Sequence, residues 1–144
     1  MTITVKDPLI VASVYLWIGF VAAISFMEAW LKFRAPGVTL PVGLGIGRLV
    51  FNALNKAEWI FAIAIFAGFL ISKQNLFSLD HLLFYLPFVL LVIQTFRLLP
   101  ALDHRAEMHI KGLEVGPSSL HIYYVAMEVI KVASLFIFGL KQFK

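Results

Sequence analysis

The chain has 144 residues, a formal net charge of +4 and no cysteine; it is 61% hydrophobic and only 14% charged, with a mean hydropathy of +0.92. Soluble domains run nearer half apolar and a quarter charged, so this composition argues against a water-soluble globule, a disordered chain or a nucleic-acid partner. It predicts an all-α integral membrane protein, and the absence of cysteine excludes disulfides, thiolate metal sites and catalytic thiols.

About 20 apolar residues cross a hydrocarbon core of about 30 Å. Four stretches qualify, over residues 9–31, 49–72, 82–99 and 120–140. Lys6, the first apolar run and Ala22–Ala23 are reminiscent of a cleaved signal, but Asp7 neutralises its basic start and the run is too long. No stretch alternates with a period of two, so a barrel is disfavoured. The expectation is one domain over residues 1–144, a four-helix membrane bundle.

The connections differ in character. After the first span, Pro36-Gly37 reads as a turn; Thr39 or Leu40 then precedes a new helix with Pro41 in its first turn. That helix is expected to run on into the second span as a long extension. The segment from Pro100 to Ser119 reads as a longer charged connection, ending at Gly116-Pro117, with Ser118 or Ser119 capping the last helix. The connections after the first and third spans carry Lys32, Arg34, Arg48, Lys56, Arg97, Arg105 and Lys111; the other side carries Lys6, Lys73, Lys141 and Lys144. The excess of basic residues places both termini on the non-cytoplasmic side.

Polar residues inside the spans follow helical spacing. Arg48, Asn52, Asn55 and Glu58 fall within about 120° of arc, and His121, Tyr124, Glu128 and Lys131 within about 80°. Ionisable groups in a bilayer cost about 2.5–3.5 kcal/mol each, so both stripes should face the bundle or a wet cavity. With Glu28, Gln94 and Arg97 near the inner ends of their spans, the polar residues gather in the cytoplasmic half, and Lys131 lies near the middle. A polar cleft open to the cytoplasm follows. For any single residue, interhelical hydrogen bonding or a structural ion pair such as Glu128 with Lys131, or Glu28 with Lys32, is the plainer reading.

The run Arg48-Leu-Val-Phe-Asn-Ala-Leu-Asn55-Lys-Ala-Glu58 resembles the second-helix signature of the membrane-associated eicosanoid and glutathione metabolism family. That pattern has an Arg, an Asn seven positions later and a Glu three beyond it. The resemblance implies a homotrimer with glutathione or a lipid bound between subunits near the inner leaflet. Phe51 stands where that family usually has a second Arg, and Phe61 where a proline commonly follows the Glu. A group of four-helix membrane proteins of unassigned function is also similar around Phe26–Pro36 and Pro100–Arg105.

The function expected is binding of a lipophilic substrate and a polar anionic cosubstrate, glutathione being one candidate. Arg48 and Arg97 would bind negative charge; Asn52, Asn55 and Gln94 would orient the ligand, with Glu128 and Lys131 completing the site. Glu58 would hold an amine or position Arg48, and Tyr124 or His121 would transfer a proton. The expected partners are membrane lipids, a lipophilic small molecule and further copies of the chain. Competing readings are a proton- or ion-coupled transporter using Glu58, Glu128 and Lys131, or an accessory subunit of a membrane complex. Asp103, His104, Glu107 and His109 are expected in a solvated loop, not as metal ligands, because His104 and His109 lie about 140° apart on a helix. His121 with Glu128 and Glu58 is the weaker metal alternative.

Overall fold

The computed structural model describes residues 2–144. Four helices are long and apolar enough to cross a membrane: α1 Pro8–Arg34, α2 Leu40–Ile71, α3 Leu79–Ile110 and α4 Leu120–Leu140. Each starts where local chemistry dictates. Asp7 accepts the Leu9 and Ile10 amides at 2.8 and 3.2 Å and so caps α1, whose first residue is Pro8. Thr39 stands before α2 with Pro41 in its first turn, and Ser118 Oγ accepts the Leu120 amide at the start of α4.

The helices form a four-sided bundle in which α1 packs on α2 and α4, and α3 packs on α4 and α2. Both termini lie at one end. There Val5 bridges Phe143, the Lys6 amide donates to the Gln142 carbonyl at 2.8 Å, and Ser72 donates to Asp7. The core at this end is aromatic. Phe69, Phe84 and Phe138 are buried and meet edge to face or tilted, with Trp17 and Ile10 beside them. Close approach of α1 to α2 needs Gly68, because a Cβ there would lie 2.5 Å from Ile10 Cγ1.

The third helix departs from expectation. Its apolar run predicts an end near Leu99, yet it continues through Pro100 to Ile110 and carries Asp103 on a helix, not in a loop. A proline has no N–H to donate, and the turn before it, Gln94–Leu98, is widened to π geometry, which lets the helix pass. Helix α1 has a similar widened turn at Ala22–Glu28.

Pro87 breaks the ladder inside α3 by leaving the Leu83 carbonyl without its usual donor. Ser134 of α4 supplies one: its hydroxyl donates to Leu83 O at 2.6 Å. In an apolar interior a carbonyl left unpaired costs about 1–3 kcal/mol. Ser134→Ala should therefore destabilise the bundle by about 1–3 kcal/mol. The same change in a Pro87→Ala background should cost much less, because an alanine at that position restores the backbone donor. Reversible unfolding of the four proteins in detergent measures the cycle; additive effects would separate Ser134 from Pro87.

Candidate functional site

The two polar stripes part company in the structure. Their inner members form a sealed cluster in the bundle centre, and their outer members line a pocket at the end remote from the termini.

Lys131 of α4 is the hub of the cluster. Its ammonium donates to Glu58 Oε2 at 2.5 Å and to Glu128 Oε1 at 2.7 Å, and also to Gln94 Oε1. Glu58 Oε2 also accepts from Trp17 Nε1 at 2.6 Å. Glu128 accepts from Gln94 Nε2 at 2.7 Å and from Ser25 Oγ at 2.8 Å. All four helices thus contribute. Lys131, Glu58, Glu128 and Gln94 are wholly buried. Ser25 and Gln94 both sit in the widened turns of their helices and both reach Glu128.

Asn55, on the face of α2 turned towards α3, donates to Thr95 Oγ1 at 2.9 Å, beside Trp59 Nε1 at 3.0 Å. Arg48 makes a two-pronged pair with Asp103, Nε and Nη2 lying 2.6 and 2.9 Å from its two oxygens. This fork ties α2 to the extended part of α3. Asn52 donates to the Arg48 carbonyl at 2.7 Å. Arg97 faces outward and belongs to neither group. Arg48, Asn55 and Glu58, the residues of the family pattern, therefore serve three different contacts. Among the described residues no three His, Asp or Glu side chains gather as a metal-ligand set.

The pocket measures about 160 Å³ and lies between the α1 end, the first turns of α2, the extension of α3 and the start of α4. Its walls are mainly apolar, with Phe33, Phe51, Leu99 and Leu102 among them. Arg48, Asn52, His121 and Tyr124 line it, as does Lys32, which pairs with Glu28 at 3.2 Å. Phe51 meets the Tyr124 ring edge to face at 5.4 Å. Tyr124 is 2% exposed, and its hydroxyl has no hydrogen-bond partner. Gly43 makes room for Phe33, whose ring would overlap a Cβ at that position.

Nothing in the sequence marks Trp17, Ser25 or Thr95 as members of these groups. Trp17 and Ser25 look like ordinary span residues. Asp103 is legible only as a charge, with its partner 55 positions away in sequence.

The geometry sharpens what the charges do. Lys131 keeps Glu58 when Glu128 is neutralised, so Glu128→Gln strands no cation. Lys131→Met removes the only ammonium bonded to both acids among the described residues and should cost about 3–5 kcal/mol. Replacing Glu58 and Glu128 by Gln in the same chain should recover most of that loss. Unfolding midpoints in detergent measure this series, and a Lys131→Met protein as stable as the parent contradicts the hub.

No family model, curated protein or solved structure matches the chain, so its likeness to the eicosanoid and glutathione family stands on Arg48, Asn55, Glu58 and the four-helix plan.

Proposed function

We propose that the chain is a multi-pass membrane protein that binds one end of a lipophilic molecule in the pocket beside Tyr124, at the level of the cytoplasmic headgroups. The observation that carries this reading is that Tyr124, which lines a mainly apolar pocket, has a buried hydroxyl without a partner. Such a group is costly unless something pairs with it, and a ligand hydroxyl, carbonyl or carboxyl does so. A volume of about 160 Å³ admits a ring or short chain but not a whole lipid. The rest of the ligand then lies along the outward-facing apolar side chains.

Depth supports the same reading. At 1.5 Å per residue, α2 and α3, with 32 residues each, are roughly 48 Å long against a hydrocarbon core of about 30 Å. With the terminal end set at one surface, Glu58 lies about 20 Å in and the pocket about 30–40 Å in, at the opposite headgroup region. Arg97 then stands near that interface, where a long cationic side chain snorkels. The excess of basic residues towards the pocket end supports a cytoplasmic position for that surface, with both termini outside.

An anionic cosubstrate is the less favoured half of the sequence expectation. Arg48 is committed to Asp103 and Lys32 to Glu28, so glutathione or a similar anion must displace a carboxylate to bind either cation. A neutral lipophile needs no such exchange. His121, exposed at the rim, and Tyr124 remain the groups placed to move a proton on a bound molecule. The cluster of Glu58, Glu128, Gln94 and Lys131, joined to α1 through Trp17 and Ser25, acts as structure behind the pocket.

Two measurements test this. Thermal unfolding in detergent should show stabilisation by long-chain alcohols or fatty acids and none by glutathione alone. Tyr124→Phe should weaken the binding by about twofold to tenfold, the worth of one hydrogen bond. Unchanged affinity in that variant, or no response to any lipophile, removes the reading. For orientation, a single cysteine at Thr2 of the cysteine-free chain should react with an impermeant probe only from the non-cytoplasmic side; labelling only from the cytoplasm reverses the assignment.

A further inference from the structure

The opposite end of the bundle holds a second recess of about 360 Å³, polar where the first pocket is apolar. Two of its lining side chains are almost wholly buried: His81 at the start of α3 is 4% exposed, and Gln142 just beyond α4 is 1% exposed. The His81 ring is stacked on Phe69 at 4.1 Å between centroids, and its Nε2 lies 3.0 Å from Gln74 Oε1. An amide oxygen can only accept, so Nε2 carries the hydrogen and Nδ1 presents a bare lone pair. That Nδ1 has no partner, and neither has Gln142 Oε1. Two residues lining one recess, held by packing and by backbone pairing of Gln142 with Lys6, therefore each keep a buried acceptor unmatched.

Unmatched buried acceptors call for a donor with more than one N–H or O–H. The rim selects among donors. Lys6 and Lys144 line the recess, are exposed and make no salt bridge among the described residues, whereas Asp80 is held by Lys141 at 2.8 Å. A lone cation is repelled by two lysines, and a lone anion is repelled by the two acceptors. A molecule with both charges suits both layers.

We propose that this recess binds a zwitterion of the phosphoethanolamine class, its primary ammonium donating to His81 Nδ1 and Gln142 Oε1 and its phosphate lying between Lys6 and Lys144. The same group is presented by an ethanolamine lipid in the adjoining leaflet or by a free soluble molecule. A quaternary choline head has no N–H to donate and is rejected on that ground. The site is independent of the Tyr124 pocket, from which it is separated by the length of the bundle.

The test uses the full chain in phosphatidylcholine nanodiscs titrated with glycerophosphoethanolamine, glycerophosphocholine or ethanolamine, with binding read by calorimetry. The first should bind, and the other two about tenfold more weakly or not at all. His81→Phe, which keeps the ring on Phe69, and Gln142→Leu should each lower the affinity by about tenfold. Lys6→Met with Lys144→Met, at exposed positions, should weaken binding without changing the unfolding midpoint of the free protein. In nanodiscs containing phosphatidylethanolamine, loss of binding of the free compound identifies the lipid headgroup as occupant, and undiminished binding identifies a soluble one. Equal affinity for the choline compound, binding indifferent to all these substitutions, or no binding together with no stabilisation by the ethanolamine lipid overturns the proposal.

Discussion

The Lys131 ammonium, shared among Glu58, Glu128 and Gln94 in the closed centre of the bundle, is the interaction on which the other features depend. Taking one cation and two acids out of water is expensive, and the expense is offset only when nearly every donor and acceptor is matched. The matching is distributed. Trp17 and Ser25 come from α1, Glu58 from α2, Gln94 from α3, and Glu128 and Lys131 from α4. Apolar side chains slide past one another at little cost, but these groups do not. A slip of one helical turn, about 5.4 Å, would unpair several of them at once, so the cluster sets the register of all four helices.

Irregular backbone serves the same end. The widened turns in α1 and α3 are the ones that carry Ser25 and Gln94 to Glu128. The turn in α3 also brings the helix intact through Pro100 and extends it far enough for Asp103 to meet Arg48. Pro87 is handled differently, by a hydroxyl from a neighbouring helix. At Pro87 the local defect in one helix is thus balanced by a side chain that another element supplies, as an apolar surrounding requires.

The bundle is accordingly built in layers along its axis. A polar recess with His81 and Gln142 lies at the terminal end, followed by an aromatic core and then the charged cluster. Beyond the Phe51–Tyr124 contact lies the pocket beneath the Arg48–Asp103 fork. The charged layer is closed and keeps one unmatched acceptor, Glu58 Oε1; the other unmatched buried side-chain atoms among the described residues, on Tyr124, His81 and Gln142, belong to residues that line the two end recesses.

Hydrophobic run length by itself determined four helices, since a stretch of about 20 apolar residues has few other stable forms. Helical spacing also put Tyr124, Glu128 and Lys131 on one face and made Glu28–Lys32 and Glu128–Lys131 pairs, because neighbours three and four apart meet on any helix. Thr39 with Pro41 and the serines at 118 and 119 marked two helix starts, both being local signals. What only the tertiary structure decided is which stripe members meet. Arc arithmetic grouped Arg48 with Glu58, but the helices cross so that Glu58 turns to Lys131, Asn55 to Thr95 and Arg48 to Asp103. Trp17 and Ser25 entered the cluster with no sequence signal, since an indole or a hydroxyl in an apolar run is silent until a facing helix supplies its partner. Spacing along a chain is local, whereas partnership across a bundle depends on rotation and depth of packed helices, which no single helix encodes.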